Sequence, residues 1–172
     1  MRSTAPPERD KTRLVDAPLL DLDLPDEAAT AGLAARLASR AEAGDVIGLA
    51  GDLGSGKTTF ARAFIRALGD GSEEVPSPTF TLVEIYAFAG HPPVWHFDLY
   101  RLSTPAEAHE LGLEDAFAEG ISLIEWPERL GPLLPPEHLL LALAEGRSPD
   151  ARRARLSGTP RWARRLAGIA DG

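Results

Sequence analysis

Short apolar runs alternate with amphipathic stretches along much of the chain. Short, mainly apolar runs at 46–50, 94–97 and 121–124 have the length of buried strands. Apolar residues recur at helical spacing over 29–41, before the first run, and a second helix is predicted over 58–68, directly after it. Strands that alternate with helices in this way indicate an α/β domain with a mainly parallel sheet.

The rest of the pattern is less regular. Residues 80–88 are rich in β-forming residues, 105–119 read as helical material, and 139–143 read as a last strand. Asp26 is placed as the N-cap of the first helix, because a short acidic side chain there can accept a backbone hydrogen bond. The stretch 150–168 is predicted to be a C-terminal helix pair or tail.

A glycine-rich motif follows the first apolar run directly. Residues 51–58 read GDLGSGKT and match the pattern G-x-x-x-x-G-K-[ST] without a gap, between a predicted strand and a predicted helix. Glycines allow turns that point loop N–H groups inward, and the start of a helix adds further unpaired N–H groups. The motif therefore predicts a phosphate-binding loop and a P-loop NTPase-like three-layer αβα sandwich with a mainly parallel central sheet.

The motif also assigns candidate roles to its residues. Lys57 is expected to reach the β- and γ-phosphates of ATP, and the Thr58 hydroxyl is expected to ligate Mg²⁺. The nucleotide-binding residues predicted from this loop are Asp52, Leu53, Gly54, Ser55, Gly56, Lys57, Thr58 and Thr59.

Two carboxylates stand at the ends of apolar runs. Asp98 and Glu125 are predicted to share one crevice with the phosphates, since the carboxyl ends of parallel strands line one edge of a sheet. Both are candidates for holding Mg²⁺ and for catalysis, and spacing does not decide which one contacts the metal. Hydroxyls at Ser77 and Thr79 are candidates for sensing the γ-phosphate, with a capped turn as the alternative. Trp126 either packs near the nucleotide or fills the core.

Composition excludes several other kinds of site. The chain has no cysteine, which rules out a disulfide scaffold, a cysteine-based zinc site, an iron–sulfur cluster and a thiol nucleophile. The pair His109-Glu110 lacks the second histidine of a zinc-protease helix. No apolar run approaches the roughly 18 residues that span a membrane, and the polar N-terminus lacks a signal-peptide core. The predicted location is therefore the cytoplasm, without membrane contact.

The charge is unevenly distributed. The net charge is -8, yet residues 146–172 hold seven arginines against two aspartates, which gives that segment +5 and the other 145 residues -13. An acidic body disfavours an independent nucleic-acid binder, because phosphate affinity needs a positive field. The predicted organisation is a flexible leader over 1–18, a P-loop ATPase domain over 19–147 and an arginine-rich C-terminal helix or tail over 148–172.

Three other functions are compatible with a phosphate-binding loop. A small-molecule P-loop kinase is the main alternative, with the C-terminal arginines as a mobile lid, although they follow the last predicted strand rather than lying between core strands. A GTPase would carry an N-K-x-D motif for reading the base, and the chain contains no asparagine. A binding module that keeps nucleotide as a structural ligand would differ from an ATPase by lacking hydrolysis that partners stimulate.

Five motifs occur in order along the chain. They are GDLGSGKTTF (51–60), VPSPTFTLVEIY (75–86), HFDLYRL (96–102), ELGLED (110–115) and LIEWPERL (123–130). Together they resemble the TsaE (YjeE) family of small bacterial P-loop ATPases, and the resemblance runs from about Leu24 to Arg147.

The resemblance implies a function that residue spacing does not. Members of this family are needed to form threonylcarbamoyladenosine in tRNA, at the adenosine beside the anticodon. They work with TsaB and with TsaD, which performs the transfer, while TsaC supplies threonylcarbamoyl-adenylate. The implied role of this chain is to bind the TsaB–TsaD pair and to use ATP hydrolysis to reset it between turnovers, with tRNA contacted indirectly.

The resemblance also implies roles for individual residues. Thr58 and Glu125 match the magnesium positions, and Asp98 matches the acidic residue of the HFDLYR motif. Ser77 and Thr79 match the family's switch-like segment, and Trp126 matches the aromatic residue expected near the nucleotide. Asp26, in the segment 25–30, matches the N-terminal region that helps to hold the adenine. Arg147 matches a C-terminal arginine near the base.

Overall fold

The computed structural model describes residues 18–171; apart from Pro18, the predicted leader over 1–18 lies outside these residues. The strands are β1 (Pro18–Leu24), β2 (Val46–Ala50), β3 (Val83–Tyr86), β4 (Val94–Asp98), β5 (Ile121–Glu125), β6 (Leu139–Glu145) and β7 (Arg152–Ser157). The α-helices are α1 (Glu27–Ala38), α2 (Lys57–Leu68), α3 (Leu113–Glu119) and α4 (Pro160–Arg165). Short 3-10 helices cover Pro105–Leu111, Pro127–Leu133 and Ile169–Asp171.

The strands form one sheet in the order β1-β7-β6-β2-β5-β4-β3. The four central strands β6, β2, β5 and β4 are parallel to one another. On one side β7 pairs antiparallel with β6 and β1 pairs antiparallel with β7, and on the other side β3 pairs antiparallel with β4. The α/β fold with a parallel centre is therefore confirmed. In this register Asp98 lies opposite Glu125, and Glu125 lies opposite Leu49, so β4, β5 and β2 end together at one edge.

Helices cover both faces of the sheet. On one face α2 turns Phe60, Phe64 and Ile65 into the core, and all three are fully inaccessible to solvent. On the other face α3 and the 3-10 segments bury a second apolar cluster against Phe97 and Ile124. Because burial of each large apolar side chain is worth about 1.5–3 kcal/mol, the unit formed by β2, the glycine-rich loop and α2 is held firmly in place.

Two parts of the sequence pattern differ from the structure. The prediction of a helix pair or tail over 150–168 is wrong for Arg152–Ser157, which form β7, paired with β6 on one side and β1 on the other. Residues 80–88 form a strand over Val83–Tyr86 alone. The arginines of β7 extend the sheet instead of forming a tail, because β6 and β1 supply the backbone partners that a local pattern does not reveal.

The short helix α4 takes part in a partly buried ion pair. Arg165 donates two hydrogen bonds to the Asp45 carboxylate at 2.7 and 2.6 Å, and the Asp45 side chain is 3% exposed. The guanidinium also lies 4.3 Å from the ring centre of the buried Trp162. These hydrogen bonds to Asp45 raise the pKa of Arg165 above its usual value. The pair thus joins the C-terminal helix to the start of β2.

We expect Arg165→Met to lower the free energy of unfolding by about 2–4 kcal/mol, because it leaves a buried carboxylate without its cation. The matched control is Arg161→Met, since Arg161 is 54% exposed and lies 3.9 Å from Glu42. Its expected effect is below about 0.5 kcal/mol. Urea unfolding followed by circular dichroism measures both changes. Equal losses in the two variants would contradict the role given to the Asp45 pair.

Candidate functional site

The glycine-rich loop has backbone angles that require glycine. Gly51, Gly54 and Gly56 have φ angles of 144°, 76° and 102°. A Cβ on Gly51 would collide with the Leu143 carbonyl oxygen and the Ser55 hydroxyl, whereas a Cβ on Gly54 would meet nothing within 4 Å. Since the first N–H groups of a helix have no partner inside it, α2 presents them where the loop ends. The loop is thus shaped as a cradle for an anion.

Lys57 lies inside this cradle. Its Nζ donates to the carbonyl oxygens of Gly51 and Asp52 at 2.7 and 2.8 Å, and lies 4.3 Å from the ring centre of Trp126. Burial lowers the pKa of Lys57 below its usual value, and the carboxylates of Glu125 and Asp98 partly oppose that change. A phosphate in the cradle would stabilise the charged form of Lys57 and could replace the carbonyl oxygens of Gly51 and Asp52 as its hydrogen-bond acceptor.

Two acidic side chains face the loop from the ends of β4 and β5. The Thr58 hydroxyl donates to Glu125 Oε1 at 2.7 Å, so the hydroxyl and the carboxylate are close enough to bind the same metal ion. The Oδ1 atom of Asp98 accepts a hydrogen bond from the Tyr100 backbone N–H at 3.1 Å. Both carboxylates are buried, with 2% exposure for Glu125 and 6% for Asp98.

The segment after α2 is tied to Asp98. Thr79 Oγ1 donates to Asp98 Oδ2 at 3.3 Å, and the hydroxyls of Thr79 and Ser77 lie 2.7 Å apart. Leu82 closes this turn with a φ of 65°, its N–H bonded to the Pro78 carbonyl and its own carbonyl bonded to the Asp98 N–H. A left-handed residue that is not glycine stores strain of about 1 kcal/mol or more, and such strain concentrates at switches and ligand sites.

These side chains line a single cavity of about 390 Å³. Its walls are Leu53, Gly54, Gly56, Lys57, Thr58, Thr59, Ser77, Thr79, Asp98, Tyr100, Arg101, Glu125, Trp126 and Arg152. The volume lies in the range of small-molecule sites. Trp126 itself has a φ of 60°, which turns its ring onto Lys57 and 5.0 Å from the ring of Tyr100.

Four of the residues expected from the sequence lie elsewhere. Asp52 and Ser55 line the back of the loop, beside Leu143. The Asp26 carboxylate accepts from the Ala29 N–H at 2.8 Å and so caps α1, as its sequence position indicates. Arg147 lies in a separate depression near the start of α1.

Sequence reasoning missed Arg152, which donates hydrogen bonds to two carbonyl groups of the loop. Its Nε donates to the Ser55 carbonyl at 2.9 Å and its Nη2 donates to the Gly54 carbonyl at 3.3 Å. The same side chain lines the main cavity and a small depression that also contains Glu27 and Thr59. An interpretation of 152–157 as a strand would have found it, because alternate residues of a strand face one side.

The residues present fit a magnesium–nucleotide complex. Within residues 18–171 no group of three His, Cys, Asp or Glu side chains is arranged to hold a metal by itself. Mg²⁺ at phosphate sites is bound by one or two carboxylates, a hydroxyl and substrate phosphates, with water completing the shell. The Thr58 hydroxyl with Glu125 and Asp98 is a donor set of that kind.

The comparison with protein families agrees with this geometry. The model of the threonylcarbamoyl adenosine biosynthesis protein TsaE matches residues 24–154. The chain belongs to the TsaE family. A TsaE from Rickettsia felis is 41% identical over 115 residues, 67% of this chain and 67% of that protein. One from Bacillus subtilis is 40% identical over 115 residues, 66% of this chain and 70% of that protein.

A solved structure has the same fold as this TsaE family member. The crystal structure of Bacillus subtilis YdiB superposes with a TM-score of 0.71 at 29% identity, covering 88% of this chain and 93% of that one. The chain is therefore a P-loop-type member of a family named for the synthesis of threonylcarbamoyladenosine in tRNA. Over residues 18–171, no helix has the length and apolar character needed to cross a membrane.

Proposed function

We propose that this chain is the ATPase subunit for threonylcarbamoyladenosine modification of tRNA next to the anticodon, and that its ATP hydrolysis resets the TsaB–TsaD complex. The observation that carries the proposal is that Lys57, Thr58 and Glu125 line one cavity together with the glycine-rich loop. Family membership supplies the pathway. The arrangement is that of a phosphate-binding site with its metal side built in.

The loop and Lys57 bind the phosphates in this proposal. Loop N–H groups and the start of α2 hold the negative oxygens, while Lys57 moves from the carbonyls of Gly51 and Asp52 to the β- and γ-phosphates. Trp126 limits that movement, because the ammonium stays within reach of its ring. The nucleotide therefore enters with its phosphates toward the sheet edge.

The two carboxylates divide the remaining work. Glu125 lies on the Thr58 hydroxyl, which favours it as the acid on the metal side. Mg²⁺, when bound, offsets the charge of the phosphates. Asp98 lies beside Thr79 and is favoured as the group that orients the attacking water. Ser77 and Thr79 then sense the γ-phosphate, and the segment that ends at Leu82 responds to its presence.

We expect Arg152→Met to weaken nucleotide binding about tenfold, because it removes two hydrogen bonds that hold the loop carbonyls and a positive charge beside the cavity. Arg153→Met is the control on the same strand, since Arg153 is 59% exposed and pairs with Asp21. Titration with a fluorescent ATP analogue measures both variants. Equal affinities for the two would show that Arg152 has no part in binding.

The partners follow from the resemblance. TsaB and TsaD are the proposed protein partners, and tRNA is reached indirectly through their complex. The charge distribution supports this choice, because residues 1–145 carry -13 and several C-terminal arginines are paired inside the chain. ATP and Mg²⁺ are the proposed ligands.

Reconstitution tests the proposal. Purified TsaB, TsaD and TsaC are supplied with ATP, threonine, bicarbonate and tRNA, with and without this chain. We expect repeated turnover when the chain is present and a halt after the first round when it is absent. Equal multiple-turnover modification in both mixtures would contradict the coupling role. Phosphate release by the chain with TsaB and TsaD, above its rate alone, separates an ATPase from a static nucleotide-binding module.

A further inference from the structure

A buried histidine lies behind Glu125. His96, on β4, is fully inaccessible to solvent, and its Nε2 lies 2.7 Å from Glu125 Oε2. The other carboxylate oxygen, Oε1, accepts from the Thr58 hydroxyl. Each oxygen of Glu125 thus has its own partner, one toward the cavity and one toward the core.

The surroundings of the ring define its role as a donor. His96 Nδ1 is buried and has no hydrogen-bond partner among the residues that the structure describes. A carboxylate accepts hydrogen bonds, so the proton is on Nε2 and points at Glu125. An apolar side chain would fill the same space without leaving a buried nitrogen unpaired. The bond to Glu125 is therefore what distinguishes histidine here from a purely packing residue.

Strand geometry explains how the bond is made. His96 and Asp98 are two residues apart on β4, so both side chains emerge on the same face of the sheet. Asp98 pairs with Glu125 in the ladder, and His96 pairs with Leu123 one step deeper. Strand β4 thereby supplies Asp98, which lines the cavity, and His96, which contacts the Glu125 carboxylate of the neighbouring strand β5.

We propose that His96 is a positioning residue that locks the Glu125 carboxylate so that Oε1 faces Thr58 and the cavity. This deepens the proposed function and rests on it for the identity of the ligand. With Nε2–H holding Oε2, the carboxylate does not rotate about its terminal torsion, which is otherwise broad. Outer groups that orient a metal ligand change metal affinity or activity by about 10–100-fold when removed.

Two substitutions of similar shape isolate the hydrogen bond. His96→Gln keeps an N–H donor at the position of Nε2, and His96→Met keeps the bulk without a donor. Mn²⁺ binding to the complex of the chain with ADP, followed by electron paramagnetic resonance, reports the ligand geometry without turnover. We expect His96→Met to weaken Mn²⁺ binding about tenfold or more, and His96→Gln to stay within about threefold of wild type.

ADP binding in the absence of metal is the internal control, and all three proteins should agree within about twofold, since the loop contacts are unchanged. Wild-type Mn²⁺ affinity in His96→Met would overturn the proposal, as would equal losses in the Gln and Met variants. If thermal unfolding shows that His96→Met does not fold, His96→Asn replaces it, because its shorter amide does not reach Glu125 Oε2.

A double-mutant cycle separates positioning from simple packing. If His96 acts through Glu125, adding His96→Met to Glu125→Gln changes Mn²⁺ affinity little beyond the single Glu125→Gln change. Additive effects would overturn the proposal. A wild-type chain that binds Mn²⁺–ADP but hydrolyses no ATP with its partners would contradict the proposed function alone, and the cycle would still decide the role of His96.

Discussion

Replacing Lys57 with alanine is expected to abolish ATP turnover and to weaken ATP binding about 100-fold, since charge-assisted hydrogen bonds to two phosphates are lost. The ammonium lies 2.7 Å from the Gly51 carbonyl oxygen and 4.3 Å from the ring centre of Trp126. Among the described residues, the other cations that line the cavity are Arg101, which lies over the Phe80 ring, and Arg152, which donates to the loop carbonyls of Gly54 and Ser55. Phosphate release and a binding titration measure the two effects.

Lys57→Arg is the informative companion. A guanidinium keeps the charge but is planar and wider than an ammonium, so it does not fit between loop and phosphates. We expect turnover by Lys57→Arg to stay more than about tenfold below wild type, with binding less affected than in Lys57→Ala. Unchanged ATP affinity and turnover in Lys57→Ala, with a folded protein by circular dichroism, would contradict the assignment of the phosphate site.

Glu125→Gln is expected to lower turnover by about 10²–10³-fold, in line with loss of one preorganised electrostatic contact. The amide keeps the shape and can still meet the Thr58 hydroxyl, so the loop and metal-free nucleotide binding should survive. What disappears is the negative charge that the proposal assigns to the metal side. Turnover measured against Mg²⁺ concentration should show a higher requirement for the ion.

Asp98→Asn is the matched comparison for Glu125→Gln. Both changes remove one charge from a buried carboxylate at the same sheet edge. If Asp98 orients water, its variant should lose turnover while Mn²⁺ affinity of the ADP complex stays within about threefold of wild type. The reverse pattern, with Mn²⁺ affinity lost in Asp98→Asn and kept in Glu125→Gln, would exchange the two roles.

The parallel centre of the fold was predictable because its signals are local. Mainly apolar runs mark β2, β4 and β5, and the glycine motif requires a strand before it and a helix after it. The carboxylates Asp98 and Glu125 end two of those runs, so the sheet edge they share follows from the topology alone.

The neighbouring strands β1 and β7 were not predictable from spacing. β7 reads RRARLS, and its arginines look like a charged tail unless the partners are known. Asp21 on β1 accepts from Arg153 and Arg155, and Asp45 takes Arg165, so much of the C-terminal charge is paired inside the fold. Such contacts join residues more than a hundred positions apart, which no local pattern encodes.

The candidate site shows the same division. Lys57, Thr58, Thr79, Asp98 and Trp126 converge on one cavity as their motifs indicate. His96 is part of the HFDLYRL motif, yet a lone histidine in a mainly apolar strand does not indicate which residue it contacts. Its contact with Glu125 depends on the register of two parallel strands, and register is set by the whole sheet.

The most direct test counts modified tRNA per TsaB–TsaD complex when threonylcarbamoyl-adenylate is supplied ready-made, so that ATP serves this chain alone. With the chain and ATP we expect many equivalents per complex. With a non-hydrolysable ATP analogue we expect about one equivalent, because the complex is not reset after its first turnover. The same number of equivalents with ATP and with the analogue would contradict the account.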